Sequence, residues 1–377
     1  MKITKVQRII EGKASYKCLG EVIGELGARR LMLVYTKSVR SLPVWEYINS
    51  VEADIVPFCD FTANPKYEEV ASGVELFKRE KCDAVVAIGG GSAIDVAKCI
   101  KLYAKMEGDE IYLKQTCFDN GIPIITMPTT AGTGSESTPF AVIYYGGVKQ
   151  SVHHESILPD VAILDPDVLE TLPVYQKKCT VLDALCQAIE SYWSVHSTDE
   201  CKKYAKTAIE KIRDNIFEYV EKNTENSRAE IMTASNLAGK AICITATTAP
   251  HAMSYKLTSL YGFPHGHSVA ICLHRVWSYM LENADKCTDK RGFEYLYTAF
   301  CEISGAFGYD CPENAVEGFK AMLDRLDIRD PDENGDKKMA AKVLADSVNV
   351  ERLGNNPVAL DYDALYGIYL EMIKNEA

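Results

Sequence analysis

A chain of 377 residues is too long for one small hydrophobic core and points to two domains. With 47% hydrophobic and 25% charged residues it has the make-up of a globular protein and not of a disordered one. A net charge of -12 excludes a general nucleic-acid binder, which needs a basic face to meet phosphates, but leaves room for one local basic pocket.

The first residues, MKITKVQRII, lack the apolar run of a secretory signal. No stretch reaches the roughly 18 apolar residues of a membrane span. Short runs rich in Val and Ile then recur at 31–35, 54–58, 84–88, 123–127 and 161–165, and read as strands. Amphipathic segments at 67–80 and 93–105 complete β-α-β units, and unbroken apolar runs mark parallel strands buried on both faces. The segment AVIYYGGVKQS reads as a hairpin turning on Gly-Gly. After LDPDVLETLP the pattern is helical, at 179–193, 200–219, 229–245 and 269–281. The boundary falls near Leu172 and Pro173, giving an α/β domain over 1–173 and an all-helical domain over 174–377, with a ligand cleft expected between them. The polar tract 330–338 reads as a solvated loop. The 13 cysteines are odd in number, irregularly spaced and without a CxxC pair, which fits a reduced, cytoplasmic protein.

Two loops carry phosphate-binding chemistry. The run AVVAI enters GGGSAIDVAK, 89–98. Its glycines let the backbone turn tightly, Ser92 is placed to cap the next helix, and that helix offers free N–H groups to a pyrophosphate. PIITM enters PTTAGTGSE, 128–136, where Thr129, Thr130 and Thr133 supply hydroxyls. Two such loops at the carboxyl ends of parallel strands are what a nucleotide cleft requires. A plain tight turn and a Thr-capped loop are the structural alternatives. In the helical half, TVLDALCQAIE sets Asp183 and Gln187 one turn apart on one face, with Glu190 not far round. APHAMSYKLTSLYGFPHGHS holds His251, His265 and His267. A carboxylate with two imidazoles suits a divalent metal such as Fe2+ or Zn2+, leaving a position for a substrate oxygen.

Taken together and in order, GGGSAIDVAK, PTTAGTGSE, LPDVAILDP, the DALxxAIE helix and FPHGHS resemble the iron-containing (group III) alcohol dehydrogenase family along almost the whole chain. The resemblance implies the dehydroquinate synthase-like architecture: a Rossmann-like dinucleotide-binding domain, then a helical metal and substrate domain. It also implies a homodimer and NAD(P)H-dependent reduction of a small aldehyde to a primary alcohol. Its metal ligands fall on Asp183, His251 and His265, with Gln187 where a further histidine is usual. Gln is neutral and a weaker donor than imidazole. Tyr255 stands where a proton-relaying histidine is usual, so Tyr255, or His267 with water, is expected to move the proton. Gly90, Gly91, Ser92 and Asp95 fall on the pyrophosphate turn, Thr129, Thr130 and Thr133 on the threonine loop, and Lys149 near the nicotinamide ribose. Thr36, with Lys37 and Arg40, stands where NAD-preferring relatives carry Asp, which implies NADPH or use of both NADPH and NADH.

The stretches LDALCQAIESYWSVHST and TTAPHAMSYKLTSLYGFPHGHS resemble the phosphonoacetaldehyde reductase branch in particular. That branch implies conversion of phosphonoacetaldehyde to 2-hydroxyethylphosphonate, with Lys256 and His154 as candidate partners of the phosphonate. Three other readings stay open. One is a general short-chain alcohol or lactaldehyde dehydrogenase. The others are a dehydroquinate synthase-like lyase and a non-catalytic nucleotide-binding relative, the last motivated by Gln187 and Tyr255.

Overall fold

The computed structural model describes residues 5–108, 110–333 and 335–375. The chain forms two compact units, Met1–Leu172 with Asn223–Asn236, and Pro173–Lys222 with Leu237–Ala377.

The first unit contains β1 (Arg8–Glu11), β2 (Arg30–Tyr35), β3 (Asp54–Phe58), β4 (Ala84–Gly89), β5 (Ile124–Pro128), β6 (Phe140–Tyr145), β7 (Val148–His153) and β8 (Val161–Leu164). Among the described residues, six of these form one parallel sheet in the order β1-β8-β5-β4-β2-β3. The central strands β4 and β5 are buried at every residue, which is why they show no polar alternation. β1 lacks the apolar run that marks the other strands of the sheet. It is short and partly exposed and, among the described residues, pairs only with β8 at the sheet edge. β6 and β7 form the expected hairpin, turning through Gly146 and Gly147 at φ of 56° and 77°. The helices of this unit include α1 (Leu19–Glu25), α2 (Pro43–Ile48), α3 (Tyr67–Arg79) and α4 (Gly91–Tyr103). α4 is buried on nearly every side and packs on β4, β5 and β6. From β2 the chain steps outward to β3, then returns past β2 to β4 and β5. The strand order therefore reverses between β2 and β4, and ligands of such sheets bind beyond the carboxyl ends at that point.

The second unit is built on α5 (Val174–Trp193), α6 (Asp199–Glu221), the later part of α7 (Glu225–Thr245), α8 (Ala249–Tyr261), α9 (His265–Glu282), α10 (Phe293–Phe307), α11 (Pro312–Arg325), α12 (Lys337–Asp346), α13 (Val350–Leu353) and α14 (Tyr362–Met372). Trp193 packs edge-on against Trp277 and Phe300 at the centre of its core, with ring centroids 5.7 and 6.0 Å apart. α9 lies against both α5 and α8. The contact with α5 is closest at Gly266, where a Cβ would stand 1.9 Å from the carbonyl oxygen of Cys179 and 2.9 Å from Asp183 Cβ. Only glycine permits this approach. The polar tract after Arg329 is more anchored than a solvated loop. Asp330 pairs with Arg275 at 3.0 Å, and Asp332–Glu333 forms a parallel bridge with Lys374–Asn375. No helix among the described residues is long and apolar enough to cross a membrane.

Candidate active site

At the reversal point of the sheet, Gly90 is the N-cap of α4, and no side chain caps that helix. Ser92 does not play the capping role expected of it. It lies inside the first turn and its hydroxyl donates to the carbonyl of Ala63. The Ala93 amide donates to the Gly90 carbonyl at 3.0 Å, so it is the amides at the very start of α4, at Gly91 and Ser92, that face an anionic ligand. The two loops touch: a Cβ on Gly91 would stand 2.8 Å from Thr133 Cγ2, and one on Gly90 would stand 3.4 Å from Thr130 Oγ1. A Cβ on Gly89 would meet the Thr36 side chain at 3.2 Å. The Thr129 amide donates to the Gly89 carbonyl at 3.0 Å. Thr36, Gly90, Gly91, Thr129, Thr130 and Thr133 therefore gather at the ends of β2, β4 and β5.

Asp95 differs from its expected role at the pyrophosphate. One carboxylate oxygen accepts from Ser135 Oγ at 2.6 Å and the other from the Val142 amide at 2.9 Å. Burial raises its pKa against the pull of the Lys98 charge. Asp95 is thus a positioning residue, tying α4 to the threonine loop and to β6. Lys98, unmarked by any pattern in the sequence, is fully buried and donates to the carbonyls of Ser135 at 2.5 Å and Phe140 at 2.7 Å. Lys149 sits on β7 opposite Tyr144 and adds its charge to the surroundings of Asp95. Beyond β2, Lys37 and Ser38 are exposed. Arg40 instead donates to Tyr35 Oη at 2.6 Å and lies over the rings of Tyr35 and Trp45.

In the helical unit, α5 supplies Asp183 and Gln187, α8 supplies His251, and α9 begins with His265. The ligand atoms of Asp183, His251 and His265 all lie within 4.8 Å of one another. Glu190, one to two turns beyond Asp183 and 0% exposed, organises the group. Its Oε1 accepts from the Thr248 amide at 2.9 Å, the Thr248 hydroxyl at 3.0 Å and the His251 amide at 3.3 Å. Its Oε2 accepts from His251 Nδ1. His251 Nε2 is thereby turned to Asp183 Oδ1, 3.3 Å away, yet neither buried atom has a well-formed hydrogen bond. Two such atoms side by side are expensive unless a third group takes both. A divalent cation does so, and the residues present fit one. Gln187 departs from an imidazole ligand. Its side chain hydrogen-bonds to Asp183 and helps hold that carboxyl ionised.

Charge follows the same logic. Burial opposes the ionised form of Asp183, but the His251 imidazole beside it and the charge of His265 outweigh it and hold the carboxyl below its usual range. Burial also opposes the cationic form of His251, yet Glu190 and Asp183 raise its pKa to about 9. The pocket demands a positive charge, from a proton or from a metal.

Tyr255 lies one turn after His251 on the same face of α8. Its ring stacks on His265, with centroids 5.8 Å apart and planes 3° from parallel. Its hydroxyl accepts from Arg352 Nη1 at 2.6 Å. Nothing in the sequence marked Arg352. His267, the other candidate for proton movement, is turned to the scaffold. Nε2 donates to the Arg329 carbonyl at 2.8 Å, and Nδ1 accepts from Tyr175 Oη at 2.9 Å. Its ring stacks on Phe263. Lys256 follows Tyr255 by one residue, about 100° round the helix. His154 does not gather with the glycine and threonine loops. It lines a recess of about 620 Å3 with Lys5, Lys101, Asp119 and Asp160, at the amino ends of β5 and β8, the opposite edge of the sheet from the glycine and threonine loops.

The chain is similar to known proteins. Residues 6–166 match the family described as iron-containing alcohol dehydrogenase, and residues 178–372 match the Fe-containing alcohol dehydrogenase family, C-terminal. The 1,3-propanediol dehydrogenase of Citrobacter freundii is 32% identical over 292 residues, covering 74% of this chain and 75% of that protein. The phosphonoacetaldehyde reductase of Streptomyces viridochromogenes is 29% identical over 319 residues, covering 79% and 78%. Aldehyde-alcohol dehydrogenase 2 of Entamoeba histolytica is 31% identical over 297 residues, 74% of this chain but only 34% of that longer protein. The solved structure of sulfoacetaldehyde reductase from Bifidobacterium kashiwanohense in complex with NAD+ superposes with a TM-score of 0.86 at 27% identity, covering 99% of both chains. With both halves of the sequence matched and the fold shared, the chain belongs to the iron-containing alcohol dehydrogenase family, as an oxidoreductase of the alcohol dehydrogenase and aldehyde reductase kind.

Proposed function

We propose that the chain reduces phosphonoacetaldehyde to 2-hydroxyethylphosphonate with NADPH or NADH, as a cytoplasmic homodimer. The observation that carries the reductase reading is the cluster of buried Asp183 and His251 with half-buried His265, oriented by Glu190 and flanked by Tyr255. Two observations support a charged aldehyde: the likeness to phosphonoacetaldehyde reductase, and the Arg352 guanidinium held on Tyr255.

In this reading Asp183, His251 and His265 hold Fe2+ or Zn2+, and Gln187 orients Asp183 or adds a neutral oxygen. When bound, the metal polarises a carbonyl as a Lewis acid and the nicotinamide supplies hydride. The chain does the rest. Gly90, Gly91, Ser92 and the first amides of α4 receive the pyrophosphate, with Thr129, Thr130 and Thr133 beside them. Lys149 serves the nicotinamide ribose. Thr36 and Lys37 receive the adenosine ribose, where no carboxylate repels a 2′-phosphate. Tyr255 Oη, fixed by its bond from Arg352 and beside His265, is the group that passes a proton to the alcohol oxygen.

Purified protein of known metal content is given NADPH or NADH with phosphonoacetaldehyde, sulfoacetaldehyde, butanal and lactaldehyde in turn. The expected kcat/KM for phosphonoacetaldehyde exceeds that for the neutral aldehydes by about tenfold or more. Equal or better turnover of butanal or lactaldehyde overturns the phosphonate reading. Full activity of chelated protein, with no metal by elemental analysis, overturns the metal reading. Sedimentation tests the dimer.

A further inference from the structure

We infer that Arg352 selects aldehydes bearing a tetrahedral oxyanion, a phosphonate or a sulfonate, and that Tyr255 holds it in place for that task. The inference rests on the aldehyde reductase reading and names the group that recognises the substrate.

Arg352 belongs to the short helix α13, whose first turn is fixed by Asn349 Oδ1 accepting from the Glu351 amide at 2.9 Å. Its guanidinium reaches across the unit to Tyr255, 97 positions earlier, donating through Nη1 and standing 5.1 Å from the ring centroid. The Tyr255 ring lies flat on His265, which belongs to the metal-capable cluster. A cation is thereby placed one ring beyond a candidate metal ligand.

The other arginines of the helical unit are each matched to a carboxylate: Arg213 to Asp214, Arg275 to Asp330, Arg291 to Asp289, Arg325 to Glu221 and Arg329 to Asp327. Among the described residues, Arg352 has no carboxylate partner. A guanidinium carries five N–H donors in a planar fork, and Tyr255 takes one of them. The remainder suit an acceptor that presents two oxygens at once, as a phosphonate or sulfonate does. A neutral short-chain aldehyde offers Arg352 nothing to bind. Lys256, the cation that the sequence suggests, lies on the same helix as Tyr255 but about 100° away from it.

The test compares the metal-loaded wild type with Arg352→Gln by steady-state kinetics and by calorimetric binding of methylphosphonate and methanesulfonate. Loss of a charge-assisted, two-point contact lowers affinity about 10- to 100-fold. The ratio of kcat/KM for the preferred anionic aldehyde to that for butanal is expected to fall by this factor in Arg352→Gln. Methylphosphonate binding is expected to weaken in parallel. Arg325→Gln, an exposed change elsewhere in the unit, leaves both as in the wild type. A second measurement needs no substitution: methylphosphonate protects Arg352 of the wild type from phenylglyoxal, read by peptide mass spectrometry.

Folded Arg352→Gln with an unchanged ratio and unchanged binding overturns the assignment, even if the wild type prefers phosphonoacetaldehyde. Arg352 labelling undiminished by saturating methylphosphonate overturns it as well. A wild type that prefers sulfoacetaldehyde, and loses that preference in Arg352→Gln, supports the role of Arg352 while overturning phosphonoacetaldehyde as the substrate. No anion preference and no methylphosphonate binding in the wild type overturn both.

Discussion

Glu190 accepts four hydrogen bonds, all of them from Thr248 and His251 at the start of α8. Replacing it with Gln keeps the volume but puts an N–H2 where His251 Nδ1 now donates. The imidazole then loses the partner that directs Nε2 toward Asp183. Partners of this kind are worth about 10- to 100-fold in metal affinity, so Glu190→Gln is expected to lose metal on dialysis that the wild type retains. Equal metal content by elemental analysis would contradict the role given to Glu190. Gln187→His, adding an imidazole next to Asp183, is expected to shift metal retention the other way. Asp183 and Gln187 were legible because a helix brings residues four apart together. The task of Glu190 was not, since it depends on where α8 begins. Lys98 and Arg352 were hidden for a related reason. A lysine in a mostly apolar helix reads as a snorkelling surface residue. An arginine in the polar tract VERLGNN reads as solvated. Only tertiary contact reveals the carbonyls around the first and the phenol beneath the second.

The metal cluster exists because α5 and α9 come very close where they cross. His265 and Asp183 share a pocket because Gly266 lets the first turn of α9 rest on the backbone of α5 at Cys179. A methyl group there has no room, since its first neighbour is a carbonyl oxygen and not the end of a flexible side chain. Overpacking of an ordinary core costs about 1 to 3 kcal/mol. Gly266→Ala, pressed against backbone, is expected at or above the top of that range by urea unfolding, with loss of bound metal even in the fraction that folds. Retained stability and metal content would show that the crossing can shift. The glycine of FPHGHS was visible in the sequence between two histidines, but only the packing of α9 on α5 shows why it is there. The same contrast holds in the sheet. Unbroken apolar runs marked β2, β4, β5 and β8 because those strands are buried along nearly their whole length; β3, at one edge of the sheet, is partly exposed yet still apolar enough to read, whereas β1, at the other edge, is short and half-exposed and left no such pattern. Ser92 followed the usual preference for hydroxyls at a helix start, yet the cap is Gly90 and the hydroxyl of Ser92 serves Ala63. The close packing of Gly91 on Thr133 gives a second test of element contact. Gly91→Ala is expected to push the threonine loop away and raise the KM for the nicotinamide nucleotide with less effect on metal content.

At the scale of the whole molecule, the response to acid carries a signature of its own. His274 lies on α9, nearly buried, and its Nε2 accepts from Arg275 Nη1 at 2.9 Å, while Arg275 is held in turn by Asp330. Burial first, and then the neighbouring Arg275 charge, lower the pKa of this imidazole to about 3. In the unfolded chain the same group titrates near 6.5. Between those values the unfolded chain binds a proton that the folded chain refuses. Protonation therefore favours unfolding as the pH falls, and the contribution of neutral His274 is fully present only above about 6.5. The slope from one such group is about 1.4 kcal/mol per pH unit. His274→Gln keeps an oxygen to accept from Arg275 but has nothing to protonate. Urea unfolding of chelated protein at pH 7, 6 and 5 should show the variant losing stability less steeply below pH 6.5, by about that amount per unit, while both proteins behave alike above pH 7. Chelation matters because a metal released by acid from the Asp183, His251 and His265 cluster would add a slope of its own. Parallel acid limbs for the two proteins would mean that His274 takes up its proton without unfolding the helix around it, and that Arg275 can swing aside to let it do so.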